Sequence, residues 1–487
     1  MVEGSRGQVL TPILQGSSMA SLSCYSPQSS LYCRYFGNSA SKTRITCSVE
    51  VPSVPCHGSR VEYRNRNRPL KVLVAGGGIG GLVFALAAKK KGIEVKVFEK
   101  DFTSVRGEGR DRGPIQLLSS ALAVLQVIDE TVMREIIEAG CVTGDRTNGL
   151  ADGISGEWFA KFDMMTPAMQ RGLPFSTVIC RMKLQDILVN AVGLETLSNN
   201  SKVIGFRQDS DKVSVILQDG REFEGDVLVG ADGIWSKVRA QLFGHKDANY
   251  SGFTCYAGLA DVTPPYIDTV GYRVFLGMDK YFVACDVGNG KMQWYAFQKE
   301  PLSSANSPEG SKNHLLKLFE NWCQEVTALI LETEENKILQ RKIYDRDVTN
   351  NWGDGRVTLL GDAAHPMQPN LGLGGGMAIE DCYHLINELE KIDEVVHNGD
   401  TLSEIVAALR RYEKRRLFRV KTVHAATRIA SGILPAYRPY IDLQWLPWHV
   451  SVAAAKLNVV FFAIVLRYRL FCAQSRDIGE SDGLPPR

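Results

Sequence analysis

Several features that would identify a partner or a metal are missing from this sequence. The eleven cysteines are scattered without a C-x-x-C pair, and no histidines cluster at metal-ligand spacing. These absences argue against a zinc site and a disulfide framework, and they indicate free thiols in a reducing compartment. The formal net charge of the 487 residues is only +2, which is too weak for the basic field of a nucleic-acid-binding protein. We therefore expect no nucleic acid and no metal.

Acidic residues are almost absent from the first sixty or so residues, which are rich in serine and carry scattered arginine and lysine. This composition is typical of an organellar transit peptide, and the segment lacks the continuous apolar core of a secretory signal. The stretch that starts at Met19 resembles a transit-peptide start. A disordered tail without a targeting role is the alternative. We assign residues 1–67 to a transit peptide or disordered leader and exclude them from the fold.

A glycine cluster follows the first apolar run of the remaining chain. Residues 71–100 read KVLVAGGGIGGLVFALAAKKKGIEVKVFEK, which predicts a strand, a glycine turn, a helix and a second strand before Glu99. In such a βαβ unit Gly76 makes the tight turn, Gly78 lets a pyrophosphate approach the helix start, and Gly81 allows close packing. Glu99 is spaced to reach the adenosine ribose hydroxyls, where a carboxylate repels a 2′-phosphate and so disfavours NADP. The motif indicates a dinucleotide without separating NAD from FAD.

Two later motifs favour FAD. Residues 226–239 read DVLVGADGIWSKVR, and residues 357–381 read VTLLGDAAHPMQPNLGLGGGMAIED; each predicts a strand, a turn and a helix start. FAD is longer than the first βαβ unit can hold, so its ribityl chain and flavin ring need ligands from elsewhere. Asp362 at a strand end can bond the ribityl hydroxyls. The free N–H groups near residues 374–376 can offer positive potential to the flavin N1–O2 locus.

The three motifs in this order resemble those of the group A, single-component FAD monooxygenases related to para-hydroxybenzoate hydroxylase, over roughly residues 70–420. The resemblance implies an α/β fold with a Rossmann-type FAD-binding domain, an antiparallel-sheet substrate domain and C-terminal helices. It also implies NADPH as electron donor without a second glycine motif. The cofactor-binding residues expected from the motifs and the resemblance together are Gly76, Gly78, Gly81, Glu99, Arg112, Arg181, Asp232, Gly233, Gly361, Asp362, Pro369, Gly374 and Gly375.

The resemblance also implies roles for four of these residues. Asp232 would lie near both the flavin pyrophosphate and the nicotinamide cofactor, and Asp362 would lie on the ribityl chain. Arg112 and Arg181 match arginines that such enzymes place along the cofactor. No catalytic side chain is assigned, because the flavin C4a-hydroperoxide that forms with O₂ can pass its distal oxygen to an electron-rich alkene without a base.

Four further segments lie outside the cofactor motifs, at residues 140–158, 268–277, 291–301 and 343–347. They are similar to segments of plant zeaxanthin epoxidases. This similarity implies a chloroplast enzyme that inserts one oxygen atom from O₂ across the ring double bond of a carotenoid, converting zeaxanthin to antheraxanthin and violaxanthin. NADPH, alone or with ferredoxin, would supply the electrons. One alternative is a group A hydroxylase that acts on another apolar or aromatic substrate. A second is an FAD-binding paralogue that no longer oxygenates.

The domains are expected to be discontinuous in sequence. The FAD-binding domain would comprise residues 68–145, 175–245 and 345–400. The substrate domain would comprise residues 146–174 and 246–344, and residues 401–487 would form C-terminal helices and a tail.

Alternating apolar and polar residues from about 249 to 299 predict an antiparallel sheet that covers the flavin and supplies the substrate wall. Its aromatic side chains are candidates to line a channel for a long apolar polyene, although core packing is the commoner role. These aromatics are Tyr256, Tyr272, Phe275, Tyr281, Trp294, Tyr295 and Phe297.

The C-terminal region predicts amphipathic helices over residues 376–396 and 401–433. Within the second, residues 410–421 read RRYEKRRLFRVK, which indicates a solvated helix face or a contact with an anionic lipid surface. The apolar run at residues 459–466 is too short to span a bilayer. Its flanking tryptophans and arginines fit interfacial insertion, with a buried terminal helix as the alternative. The sequence therefore leaves two locations in the chloroplast open, a peripheral contact with a plastid membrane and the stroma.

Two features depart from the epoxidase pattern. The family usually has Met-Gly-Gln-Gly-Gly where residues 371–375 read LGLGG, so Leu373 removes a polar side chain close to the expected flavin. If the family's glutamine only packs, its replacement by Leu373 changes little. If the glutamine bonds the flavin ring or the substrate, its replacement lowers activity. Typical plant epoxidases also continue into a forkhead-associated domain, which this sequence does not match, and the tail beyond about Asp442 differs as well.

Overall fold

The computed structural model describes residues 69–103, 113–304, 309–395 and 401–437, all within one compact unit, Tyr63–Arg487. The predicted leader at residues 1–67, Arg112 and the tail with its apolar run lie outside the described residues.

The first sheet is six-stranded and mostly parallel. Its inner strands read KVLVA and VLVG, apolar runs that fit burial on both faces of a parallel sheet. Lys71–Ala75 pairs in parallel with Val227–Gly230 on one side and Glu94–Phe98 on the other. Only the outermost pair at one edge is antiparallel. The strand order is Gly353–Asp354, Val357–Leu359, Val227–Gly230, Lys71–Ala75, Glu94–Phe98 and Leu197–Ser198.

Helices pack against this sheet and against one another. Ile79–Lys90, the helix of the predicted βαβ unit, contacts Arg181–Val192 and Gly374–Val395. Its buried alanines, such as Ala85 and Ala88, have small side chains that let the neighbouring helices approach closely. The βαβ prediction is confirmed by these elements.

The second sheet is seven-stranded and mainly antiparallel. The predicted antiparallel sheet over residues 249–299 is confirmed as its centre. Val270–Gly277 additionally pairs in parallel with Thr147–Asp152, which residue alternation could not reveal. The strand order is Leu339–Asp345, Asn249–Ala260, Met292–Lys299, Lys280–Asp286, Val270–Gly277, Thr147–Asp152 and Trp158–Phe162.

Two three-stranded sheets complete the β structure of the described residues. One comprises Glu222–Gly225, Val213–Leu217 and Val203–Gln208, and the other comprises Pro114–Leu117, Thr177–Cys180 and Cys141–Val142. The other α-helices are Ser119–Ile128, Glu130–Ala139, Met165–Gln170, Lys237–Phe243, Ser311–Leu318, Gln324–Leu331 and Thr401–Ile433. Short 3-10 turns occur at Leu194–Thr196, Glu335–Lys337, Gly361–Ala363, Pro369–Leu371 and Leu434–Ala436.

This combination of a parallel sheet with flanking helices, a large antiparallel sheet and C-terminal helices confirms the predicted fold class. The two predicted C-terminal helices are confirmed as Gly374–Val395 and Thr401–Ile433. Within the described residues, no helix combines the length and the apolar character that crossing a bilayer requires. The discontinuous domain boundaries stay a prediction.

Candidate cofactor site

The first glycine turn connects the strand Lys71–Ala75 to the helix Ile79–Lys90. Gly76 has a φ of +108°, and a Cβ there would lie 2.4 Å from the Ala231 carbonyl oxygen. A Cβ on Gly81 would lie 2.0 Å from the Gly76 oxygen, so only glycine allows this close approach of helix and turn. Gly78 precedes the helix without a side-chain cap, and a Cβ on it would meet nothing within 4 Å. The N–H groups of the first helical turn therefore face open space, as an anion requires.

Glu99 follows the second strand and lies beside the glycine turn. Its Oε2 accepts a hydrogen bond from the Gly77 N–H at 2.7 Å, and its Oε1 accepts one from the Asp101 N–H at 3.1 Å. The carboxylate is thus fixed at the edge of the turn, where the sequence predicted an acid for the ribose. Its contact with a ribose stays a prediction.

The DG turn lies next to the glycine turn because their strands are neighbours. The Ala231 N–H donates to the Ala75 oxygen at 2.8 Å, so Asp232 and Gly233 emerge at the same sheet edge as Gly76. Asp232 Oδ2 accepts from the N–H groups of Lys237 at 2.7 Å and Val238 at 3.3 Å. Asp232 Oδ1 is buried and has no hydrogen-bond partner among the described residues. Burial raises the pKa of this carboxyl, and the unsatisfied oxygen fits a site that awaits a ligand donor.

The GD turn, which contains Gly361 and Asp362, is the third in a row of turns with the glycine turn and the DG turn. Its strand, Val357–Leu359, pairs in parallel with Val227–Gly230, so Gly361 and half-buried Asp362 lie at the same carboxyl edge. Gly361 has a φ of +61°, and its N–H donates to Asp381 Oδ2 at 2.9 Å. Three turns that are far apart in sequence thus meet at one edge, as a long dinucleotide needs.

The turn after the GD sequence leads into the helix predicted near the flavin. Pro369 is exposed at the start of a 3-10 turn, Gly372 adopts the left-handed conformation, and the helix begins at Gly374. A Cβ on Gly375 would lie 2.5 Å from the Ile115 Cδ1. Leu373 is only 8% exposed and belongs to the main apolar core, so its side chain packs there.

Of the two predicted arginines, only Arg181 is among the residues that the structure describes. Arg181 opens the helix Arg181–Val192, directly after the strand that pairs with Pro114–Leu117. Burial raises the pKa of Tyr295, and the charge of Arg181 acts in the opposite direction. Arg112 lies outside the described residues.

A buried charge network behind the GD turn was not predicted from the sequence. Asp381 Oδ2 accepts from His365 Nε2 at 2.7 Å as well as from Gly361, and Asp381 Oδ1 accepts from Arg416 Nε at 2.7 Å. Arg416 Nη1 donates to Glu380 Oε2 at 2.9 Å. The long C-terminal helix is therefore tied to the GD turn through one carboxylate. The only sequence signal was an acid pair in GGMAIED with no assigned role.

The basic stretch at residues 410–421 is not simply a solvated face, which corrects the first interpretation of it. Arg416 is 1% exposed and pairs with both acids of the network, and Arg419 donates to Glu380 at 2.7 Å. Arg411 and Arg415 pair with Glu388, which is buried on the neighbouring helix. Helix packing converts much of this positive charge into intramolecular ion pairs.

The aromatic side chains of the large sheet divide between its two faces. Tyr256, Phe275 and Trp294 pack against the helices of residues 311–331, away from the cofactor turns. Tyr272, Tyr281, Tyr295 and Phe297 lie on the other face, against which Leu371 of the flavin-side turn packs. Only this second face can form the predicted substrate wall.

A cavity of about 460 Å³ lies elsewhere, between residues 350–355 and one face of the C-terminal helix. None of the predicted cofactor residues lines it. Among its lining residues, burial raises the pKa of Glu413 to about 7. The open glycine turn and the unsatisfied Asp232 oxygen lie at the row of turns and not at this cavity.

The sequence is similar to those of plant zeaxanthin epoxidases. Zeaxanthin epoxidase from Oryza sativa subsp. japonica is 59% identical over 373 residues, which cover 77% of this chain and 57% of that protein. The enzyme from Spinacia oleracea is 56% identical over 377 residues, covering 77% of this chain and 56% of the relative. The predicted resemblance to plant zeaxanthin epoxidases is thereby confirmed. The chain spans somewhat less than three-fifths of the length of these two relatives.

Solved structures share the fold. Klebsiella pneumoniae HpxO, solved with FAD and uric acid, superposes with a TM-score of 0.68 at 25% identity, covering 80% of this chain and 92% of that one. A salicylate hydroxylase substrate complex gives a TM-score of 0.67 at 21% identity, covering 84% and 97% of the two chains, and this likeness concerns the fold alone. Residues 69–427 match the family described as FAD binding domain. Since this match covers well over half of the chain, the protein belongs to the family of FAD-binding domains.

Proposed function

We propose that the chain is an FAD-dependent monooxygenase that epoxidises the ring double bond of a carotenoid, taking zeaxanthin to antheraxanthin and violaxanthin. NADPH, alone or with ferredoxin, supplies the electrons, and the chloroplast is the compartment. The observation that carries the proposal is the meeting of three cofactor turns at one sheet edge beside an apolar sheet face. The named relatives point to the same substrate.

FAD, when bound, supplies the redox chemistry that activates O₂. The residues of this chain bind and orient it. The first-turn N–H groups after Gly78 would hold the pyrophosphate, Glu99 would hold the adenosine ribose, and Asp362 would hold the ribityl chain. Asp232 Oδ1 would lie beside the cofactor, and the helix start at Gly374 would offer positive potential to the flavin ring.

A nucleotide electron donor finds a suitable surface beside the DG turn. Trp235 is 58% exposed, and the guanidinium carbon of Arg346 lies 5.6 Å from its ring centroid. Lys237 is exposed two residues later. A flat ring beside two cations suits the base and the phosphates of NADPH.

The sheet face next to the flavin-side turn favours an apolar alkene over a phenol. Burial raises the pKa of the Cys255 and Cys285 thiols and of the Tyr272 hydroxyl, so all three stay neutral. A phenol hydroxylase needs its substrate deprotonated, and these groups offer no base for that step. An alkene needs only to be held and kept dry.

The proposal predicts epoxide formation that depends on FAD. Purified chain is incubated with zeaxanthin in lipid micelles, FAD, NADPH, reduced ferredoxin and isotopically labelled O₂. Antheraxanthin and violaxanthin that carry the label are expected, and chromatography with mass spectrometry detects them. Unchanged zeaxanthin despite stoichiometric bound FAD would contradict the proposal. Hydroxylation of small aromatics would then support the second enzymatic reading, and no oxygenation of either substrate would support a paralogue that only binds FAD.

We also propose that the outer face of the C-terminal helix contacts an anionic lipid surface. Phe418 is 83% exposed, and Lys414 and Lys421 are exposed within one turn on either side of it. Burying a phenylalanine contributes about 1.5–3 kcal/mol, and the lysines add attraction to anionic headgroups.

Phe418→Ser is therefore expected to weaken binding to vesicles that contain anionic lipid roughly 10-fold or more, measured by co-flotation. Leu194→Ser is the matched control, since Leu194 is 77% exposed on a different element. Equal flotation of Phe418→Ser and the unmodified chain would exclude this helix face as the lipid contact.

A further inference from the structure

Tyr281 connects the large sheet to the turn on the flavin side. It lies in the strand Lys280–Asp286, is buried, and stacks on Phe297 with ring centroids 4.4 Å apart. Its hydroxyl donates to Asn370 Oδ1 at 2.6 Å. Burial raises the pKa of Tyr281 well above its ordinary value, so the hydroxyl keeps the proton that it donates.

Besides Tyr281, Asn370 contacts two other parts of the chain. It belongs to the 3-10 turn Pro369–Leu371, and its Nδ2 donates to Gln368 Oε1 at 3.3 Å and to the Thr427 oxygen at 3.2 Å. Thr427 belongs to the C-terminal helix. One amide therefore holds the turn between the sheet and the helix.

The chain of contacts continues beyond the turn. Gln368 Nε2 donates to Asp345 Oδ2 at 2.9 Å, and Arg428 donates to both Asp345 oxygens at 2.8 Å. These partners are anchored in the last strand of the large sheet and in the C-terminal helix. The side chains of Gln368 and Asn370 thus both tie the turn to neighbouring elements.

The position of this turn sets the start of the helix at Gly374. Only two residues, Gly372 and Leu373, separate the turn from the helix, so the turn that contains Asn370 and the first N–H groups of the helix are closely coupled. A shift of Asn370 would therefore disturb the N–H groups that would face the flavin ring.

We propose that Tyr281 is a positioning residue for the flavin, acting through Asn370 on the turn and helix start beside the ring. The inference rests on the proposed cofactor site. Loss of the hydroxyl leaves FAD bound by the three turns but changes the surroundings of its ring. Reducing equivalents then leave as hydrogen peroxide more often, because the ring and substrate are less well aligned.

A merely structural hydrogen bond would behave differently. Its loss would cost about 0.5–1.5 kcal/mol of stability and leave the flavin spectrum and the product ratio unchanged. Tyr256→Phe supplies this comparison, since Tyr256 is buried in the same sheet on the opposite face and its hydroxyl accepts from Gln340 at 3.1 Å.

The test uses the full FAD-loaded chain with Tyr281→Phe, Asn370→Ala, the double variant and Tyr256→Phe. Bound FAD, the visible circular dichroism of the flavin, and the share of NADPH electrons recovered as hydrogen peroxide are measured. We expect full FAD content, an altered flavin spectrum and a several-fold larger peroxide share for Tyr281→Phe. The double variant should resemble Asn370→Ala alone, because the two residues act through one bond. Tyr256→Phe should match the unmodified chain.

A flavin spectrum and peroxide share for Tyr281→Phe equal to those of Tyr256→Phe would overturn the inference, and so would additive effects in the double variant. If the unmodified chain forms no epoxide, the proposed function fails by itself. The flavin spectrum still decides the role of Tyr281 in that case, and Asn370→Ala does so if Tyr281→Phe does not fold.

Discussion

Asp362→Ala lowers the affinity for FAD by roughly 10- to 150-fold, the expected cost of losing a hydrogen bond to a charged group, about 1.5–3 kcal/mol. Asp362 lies half-buried at the carboxyl end of the strand Val357–Leu359, in the row of turns that would hold the cofactor. The glycine turn and the DG turn do not change, so weakened binding and not unfolding is the expected result. Fluorescence titration of the flavin-free protein measures the dissociation constant.

Asp354→Ala is the matched control for this variant. Asp354 lies on the edge strand of the same sheet and is exposed, and its carboxylate accepts a hydrogen bond from Gln208 at 3.3 Å. Its removal should leave FAD affinity unchanged. Stoichiometric flavin that copurifies with Asp362→Ala and titrates like the unmodified chain would show that the GD aspartate is misplaced in this account.

Arg416→Met destabilises the chain by about 3–5 kcal/mol, because it removes one partner from a buried charge network. The substitution keeps an unbranched side chain but removes the guanidinium, so Asp381 keeps His365 and Gly361 as partners and Glu380 keeps Arg419. Urea unfolding measures the loss.

Arg415→Met is the control, since Arg415 is half-exposed and its partner Glu388 keeps Arg411 and Lys391. We expect a change of at most about 1 kcal/mol for it. Equal unfolding midpoints for the two variants would contradict the role given to Arg416.

The same network predicts how the stability of the fold depends on pH. Burial raises the pKa of Asp381, but the charges of His365 and Arg416 outweigh it and hold the pKa at about 2, below the ordinary 3.8. A carboxyl with a lowered folded-state pKa stabilises the fold above 3.8, and this contribution is lost as the pH falls towards 2. Because Arg416→Met removes one of the charges that lower this pKa, the difference in stability between the variant and the unmodified chain should narrow as the pH falls from 3.8 towards about 2.

The cofactor-binding part of the fold could be predicted because each of its strands, turns and helices has a recognisable local sequence pattern. Glycine is required where Gly76 and Gly81 approach the backbone, and the strands beside them are apolar on both faces. Parallel strands bring their carboxyl ends to one edge, so Asp232 and Asp362 could be placed together once their strands were recognised. The ends of the two C-terminal helices followed from the periodicity of their apolar residues.

What the sequence could not reveal depends on contacts between distant elements. From the sequence alone, Arg416 is expected to face solvent. Its partners Glu380 and Asp381 lie on another helix, and only the packing of the two helices brings them together. Alternation predicted the strands of the large sheet but not which face meets the cofactor, so Trp294 and Tyr295 could not be separated. The parallel pairing of Thr147–Asp152 has no local signal, since it joins strands more than a hundred residues apart.

Titration of the purified, flavin-free chain with FAD tests the central claim most directly, with flavin absorbance and visible circular dichroism as the readouts. The row of turns predicts uptake of one FAD per chain with an induced dichroic signal. A chain that folds but stays colourless, with no flavin signal even after reconstitution, would contradict it.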